Sequence, residues 1–138
     1  MTIGESVHFY RWRKKMHQYE LAELSGVSCQ TITNVEADKH WTRLSTITKL
    51  SKVLNVSVDT LVGRNRVFPR HLLGSGLSFG EKLAAVRKAK NLPRAVLERK
   101  ADIPKKTIQR WEDQGVDPII CYLIAVADVL NISLDELA

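Results

Sequence analysis

The chain has 138 residues, with 21 Lys and Arg against 15 Asp and Glu, a net charge of +6, and it is 44% apolar, 26% charged and 7% aromatic. That is globular composition, which excludes a disordered or collagen-like chain, and no apolar run approaches the ~18 residues of a membrane span. The length suits one compact domain or two very small ones, and the positive balance favours a polyanionic partner.

No segment sustains the period-two alternation of a strand, whereas helical spacing runs throughout. Val7, Tyr10, Arg11 and Lys14 begin a helix that is expected to end near Met16-His17. A second helix is predicted over 18–25, with Leu21, Ala22 and Leu24 turned inward and Gly26 at its stop. Ser28 is a good N-cap for a third helix over 29–37 that buries Ile32 and Val35. A fourth runs over 43–54, with Leu44, Ile47, Leu50, Val53 and Leu54 on its apolar face, and Ser57 caps a short fifth helix ending at Leu61. The remaining helices are predicted over 79–90, 94–101, 105–113, 117–130 and 134–137. Pro118 falls in the first turn of the fourth of these, where a missing N–H costs nothing.

Sliding the chain by 76 positions aligns its two halves without a gap. Leu54-Asn55-Val56-Ser57-Val58-Asp59-Thr60-Leu61 falls on Leu130-Asn131-Ile132-Ser133-Leu134-Asp135-Glu136-Leu137, with five of eight positions identical. Gly4/Gly80, Arg11/Arg87, Leu21/Leu97, Thr31/Thr107, Ile32/Ile108 and Glu36/Glu112 match as well, and Trp111 replaces Val35 at a position expected in the core. The organisation read from this is a first unit over 1–62, a linker over 63–77 and a second unit over 78–138. Gly, Pro and Arg mark the linker, and its apolar Val67, Phe68, Leu72 and Leu73 are expected to dock. Units of ~60 residues bury only thin cores, so each is expected to lean on the other or on a partner.

The third helix of the first unit leaves Cys29, Gln30, Thr33 and Asn34 facing outward. Short polar side chains of this kind suit the major groove, where Gln and Asn can bond adenine bidentately. A helix starting at Gln18 can meet a phosphate with its backbone N–H groups and dipole. The segment from Gln18 through Leu21-Ala22, Gly26-Val27, Ile32 and Val35-Glu36, with the ending Asn55 to Leu61, resembles the Cro/phage-repressor (XRE-like) helix-turn-helix DNA-binding family. The resemblance covers about residues 5–62. It implies an all-α fold of two tandem five-helix lambda-repressor-like domains and a prokaryotic or phage-type transcriptional regulator, expected to act as a repressor. It also assigns Gln18 to phosphate and base contact, Gln30 and Asn34 to base edges, and Lys39 and His40 to the backbone, with Ser28, Cys29, Thr31 and Thr33 on the same DNA-facing surface.

The second unit departs from this pattern. In register, Gln18 becomes Arg94, Ala22 becomes Glu98 and Gly26 becomes Asp102. Glu98 should be awkward at a helix crossing unless the helices splay or its carboxylate escapes, while Asp tolerates left-handed geometry better than most residues. Residues 82–110 hold ten basic and two acidic side chains, and residues 112–138 hold six acids and no Lys or Arg. Arg94, Lys105, Lys106, Thr107, Gln109 and Arg110 are therefore candidates for a second DNA contact with salt-sensitive phosphate binding. A basic run can equally be a solvated face, and the unit could instead mediate dimerisation.

The partner expected is double-stranded DNA, bound by a homodimer on two half-sites or by tandem units that mimic a dimer within one chain. An alternative is a protein-interaction module, such as an antitoxin or an antirepressor-binding adaptor. No Gly-rich phosphate loop, nucleophile motif or carboxylate pair suggests an enzyme, and no cofactor or small-molecule ligand is inferred. Cys29 and Cys121 lack zinc spacing and read as free thiols of a cytoplasmic protein, Cys29 as a small polar filler. His8, His17, His40 and His71 share no metal spacing, and no apolar stretch precedes the basic cluster near the N-terminus, so neither a metal nor a secretory signal is expected. Trp41 reads as a partner contact or a loop anchor.

Overall fold

A computed structural model describes residues 2–39, 42–70, 73 and 76–138. Its elements, among the described residues, are ten helices: α1 (Ile3–Arg13), α2 (Gln18–Ser25), α3 (Cys29–Glu36), α4 (Leu44–Leu54), α5 (Val58–Leu61), α6 (Phe79–Ala89), α7 (Arg94–Ala101), α8 (Thr107–Asp113), α9 (Ile120–Leu130) and α10 (Leu134–Leu137). They divide into two compact units, Met1–Arg66 and Val67–Ala138, each with five helices. The all-helical fold and the repeat agree with the expectation from spacing.

In the first unit, Val7, Leu21, Ile32, Ile47, Leu50 and Leu61 are fully enclosed. Four local devices set where the helices begin and end. Thr2 Oγ1 accepts the Glu5 N–H at 3.1 Å and starts α1. Gly26 closes α2 at φ 77°, a left-handed conformation that a Cβ disfavours. Asn55 closes α4 at φ 57°, and Ser57 Oγ accepts the Thr60 N–H at 3.0 Å to open α5. The second unit repeats the last devices. Asn131 adopts φ 53°, which explains why Asn recurs in both endings.

The close approach of first and third helices explains the Gly4/Gly80 match. A Cβ on Gly80 would lie 2.5 Å from the backbone oxygen of Trp111, and one on Gly4 the same distance from the backbone oxygen of Glu36. Helix propensity alone favours Ala over Gly by about 1 kcal/mol. Here the neighbouring atoms are backbone and cannot swing aside, so Gly80→Ala is expected to destabilise the second unit by about 1–3 kcal/mol. Urea unfolding of the variant checks this, and a stabilised variant would contradict the packing.

Several expected boundaries shift. The first helix ends at Arg13 rather than near Met16-His17, because Lys15 turns left-handed at φ 56° and the Met16 N–H returns to the Arg11 oxygen. Leu24 is 67% exposed rather than inward, since the short α2 buries chiefly Leu21. Pro118 precedes α9, whose N-cap is Ile119. Trp111 is 3% exposed and packs edge-to-face on Phe79 at 5.9 Å, as its core position required. Of the linker apolar residues, Val67 is 98% exposed and not docked, Phe68 and Leu73 are half-buried, and Leu72 lies outside the described residues.

Candidate nucleic-acid interface

The candidate surface starts from how α3 is held. Ile32 and Val35 anchor one side in the core, at 0% and 2% exposure. Ser28 Oγ accepts the Thr31 N–H at 3.1 Å and fixes the first turn. With those two residues inward, helical geometry leaves Cys29, Gln30 and Thr33 exposed and Thr31 and Asn34 half-buried. Gln30 and Asn34 stand one turn apart, and Gln30 Nε2 donates to Asn34 Oδ1 at 3.2 Å. This bond uses one donor and one acceptor, so each amide keeps a free donor and acceptor capacity for a partner.

Glu36 ties α3 to the two preceding helices. Its Oε1 accepts from Arg11 Nη2 at 2.8 Å and lies 3.0 Å from His8 Nδ1, while Oε2 accepts from Gln18 Nε2 at 2.8 Å. Arg11 also donates to the Met16 oxygen at 2.8 Å, bracing the α1–α2 turn. Gln18 Oε1 accepts from Thr33 Oγ1 at 3.1 Å, so the Gln18 amide is locked onto α3. Burial pushes the Glu36 carboxyl up, but hydrogen bonds from Arg11, Gln18 and His8 and the Arg11 charge outweigh this and hold it below the ordinary value of 4.5.

Beyond the third helix, Lys39 is exposed, and His40 and Trp41 lie outside the described residues. An open groove of about 300 Å³ runs beside α3, lined by Thr31, Asn34, Val35, Thr42, Arg43 and Thr46. Sequence reasoning treated Arg43 only as a helix start and did not single out Thr42 or Thr46. Their position across the groove from Asn34 is set by where the start of α4 lies in the fold, which no short motif encodes.

The second unit keeps the scaffold and changes the surface. Arg87 bonds Glu112 at 2.8 and 3.0 Å and the Leu92 oxygen at 3.1 Å, repeating Arg11 and Glu36. Arg94 keeps only part of the Gln18 arrangement: its guanidinium bonds Glu112, the counterpart of Glu36, at 3.0 Å, but it bonds Asp113 at 2.9 and 3.1 Å where Gln18 bonds Thr33. Arg87 and Arg94 are thus neutralised within the fold, although both counted in the basic run. The Glu98 carboxylate does not escape to solvent. The residue is 7% exposed, and its Oε2 accepts the Ile108 N–H at 3.0 Å, capping α8 from inside. Asp102 takes the left-handed turn at φ 56°, as expected of it. The third helix of this unit was expected from Lys105 but begins at Thr107, because Pro104 supplies no cap where Ser28 stood and Lys106 turns left-handed at φ 66°. Lys105, Lys106, Gln109 and Arg110 are exposed and Thr107 is buried, its hydroxyl donating to the Pro104 oxygen at 2.7 Å.

The sequence pattern of the helix-turn-helix family matches residues 10–61 and again residues 83–137. The chain belongs to this family. Both helix-turn-helix matches include a second and third helix, α2 and α3 in one unit and α7 and α8 in the other. The protein is similar to the "Immunity repressor protein" of Bacillus phage phi105, 30% identical over 63 residues, which are 46% of this chain and 44% of that relative. It is also similar to the "Control protein C.SmaI" of Serratia marcescens, 39% identical over 62 residues, 45% of this chain and 74% of the relative. The chain therefore spans less than half the length of the phage relative. No solved structure matches it. Among the described residues of this helix-turn-helix protein, no helix is long and apolar enough to cross a membrane, and no three His, Cys, Asp or Glu gather as metal ligands.

Proposed function

We propose that this helix-turn-helix protein is a sequence-specific DNA-binding transcriptional regulator, acting as a repressor in the cytoplasm, whose first unit lays α3 in the major groove. The observation that carries this reading is the amide pair Gln30 and Asn34, joined at 3.2 Å on the outer side of a helix pinned through Ile32 and Val35. A rigid helix with outward amides can place bidentate donors and acceptors against base edges. Ser28, Cys29, Thr31 and Thr33 complete the contact face. Gln18, Lys39 and His40 meet phosphates, and Arg43 extends the same backbone contact across the groove. The names of the two relatives, a repressor and a control protein, support regulation as the outcome. The protein acts as a homodimer on two half-sites about one helical turn apart.

Selection of bound sequences from a random duplex pool tests the reading. The expected result is enrichment of a short motif that recurs with two-fold symmetry. A pool without enrichment, together with a stoichiometric protein partner, would replace it with a protein-interaction role. A single unsymmetric motif would reject the homodimer and leave tandem units on one chain.

A further inference from the structure

The surface that reads bases in the first unit is occupied by cations in the second. In register, Cys29 becomes Lys105, Gln30 becomes Lys106 and Asn34 becomes Arg110. All three basic residues are exposed, and among the described residues none of them forms an ion pair. Three acids of this unit are committed elsewhere: Glu112 to Arg87 and Arg94, Asp113 to Arg94, and Glu98 to the Ile108 N–H. We propose that the second unit is a sequence-independent clamp on the phosphate backbone of duplex DNA, held by Lys105, Lys106 and Arg110. The inference rests on the reading of the first unit as the one that recognises sequence.

Local geometry separates a clamp from a second reader. Base readout needs side chains held at fixed spacing on one rigid helix, as Gln30 and Asn34 are. The second unit does not keep that turn. Lys106 sits at φ 66°, ahead of the first residue of α8, so Lys105 and Lys106 stand on the entry loop rather than on the helix. The Gln18–Thr33 bond has no counterpart: Arg94 keeps the tie to the shared glutamate through Glu112 and adds Asp113 at the far end of α8, which leaves the entry to that helix without a side-chain bond from Arg94. Long flexible cations on a loop suit phosphates, which demand charge but little registry. Because both units share one chain, even a weak clamp raises the affinity of the whole through effective concentration.

The test uses the full chain with the selected duplex and a scrambled duplex of equal length, across a series of KCl concentrations. The variants are Lys105→Ala/Lys106→Ala/Arg110→Ala and, separately, Arg110→Glu. The triple variant is expected to weaken binding to both duplexes by the same factor. It should also reduce the slope of log K against log salt by about 0.9 for each phosphate that is no longer neutralised, or roughly 2–3 for each bound chain. Arg110→Glu is expected to weaken both duplexes equally, and Lys105→Arg/Lys106→Arg/Arg110→Lys to keep the wild-type slope. An unchanged slope in both charge-removing variants overturns the clamp. Weakening confined to the selected duplex, or a changed base preference, makes the unit a reader and also overturns it. A wild-type chain that binds no duplex overturns the reading of the first unit as well, which distinguishes the two failures.

Discussion

Replacing Gln30 and Asn34 together by alanine is expected to abolish most of the base preference while leaving binding to scrambled DNA nearly unchanged. Each good bidentate contact discriminates against a wrong base by about 1–3 kcal/mol, roughly five- to 150-fold. The two amides are joined at 3.2 Å, so their effects should not add. Removing one frees the other to turn, and the double variant should cost less than the sum of the singles. Both side chains lie on the outer side of α3, so the melting temperature should hardly move. A gel shift series of the two single variants and the double variant against selected and scrambled duplexes checks this. Unchanged preference in the double variant would sink the assignment of α3 as the reading helix.

Loss of the Glu36 carboxylate is expected to have the largest effect on stability. Glu36 is the common partner of Arg11, Gln18 and His8, and the side chains of Arg11 and Glu36 are only 12% and 9% exposed. Glu36→Ala leaves a guanidinium and an amide without their acceptor, a change that costs about 3–5 kcal/mol when one partner of a buried pair is removed. Against the roughly 5–15 kcal/mol that holds a whole domain, this is a large share of the stability of the first unit. Acid acts through the same group. Since the folded carboxyl titrates below its ordinary value of 4.5, its contribution is fully present above that pH and is lost as pH falls through the folded pKa. Glu36→Gln, which keeps the shape without the charge, should flatten the loss of stability below about pH 4.5 in urea unfolding followed with pH. Parallel curves for wild type and variant would show that the carboxylate contributes nothing to folding.

The outline of both units was legible in the residues because helix periodicity and stop signals are local. Leu44, Ile47, Leu50 and Leu54 define α4 by spacing, Gly26 and Asn55 supply the left-handed stops, and Ser28 and Ser57 the starts. The match at Arg11/Arg87 and Glu36/Glu112 was visible too, but its meaning was not. The partners lie 25 residues apart, and no periodicity links them. The acids that neutralise Arg94 likewise stand 18 and 19 residues beyond it, so the basic run looked more uniform than its folded surface is.

Composition, repeat register and local turn chemistry determine that this chain builds two helical units with the helix-turn-helix plan, because each depends on residues within a few positions of one another. Packing decides the rest. Glu98, which local rules place badly at a helix crossing, becomes the cap of α8 because the fold brings the Ile108 N–H within 3.0 Å of its carboxylate. Arg94, one of a run of cations by composition, is neutralised because the fold brings Glu112 and Asp113 to it. Whether an acid is misplaced or a cap, and whether a cation is free or paired, thus depends on contacts between helices that no local pattern encodes.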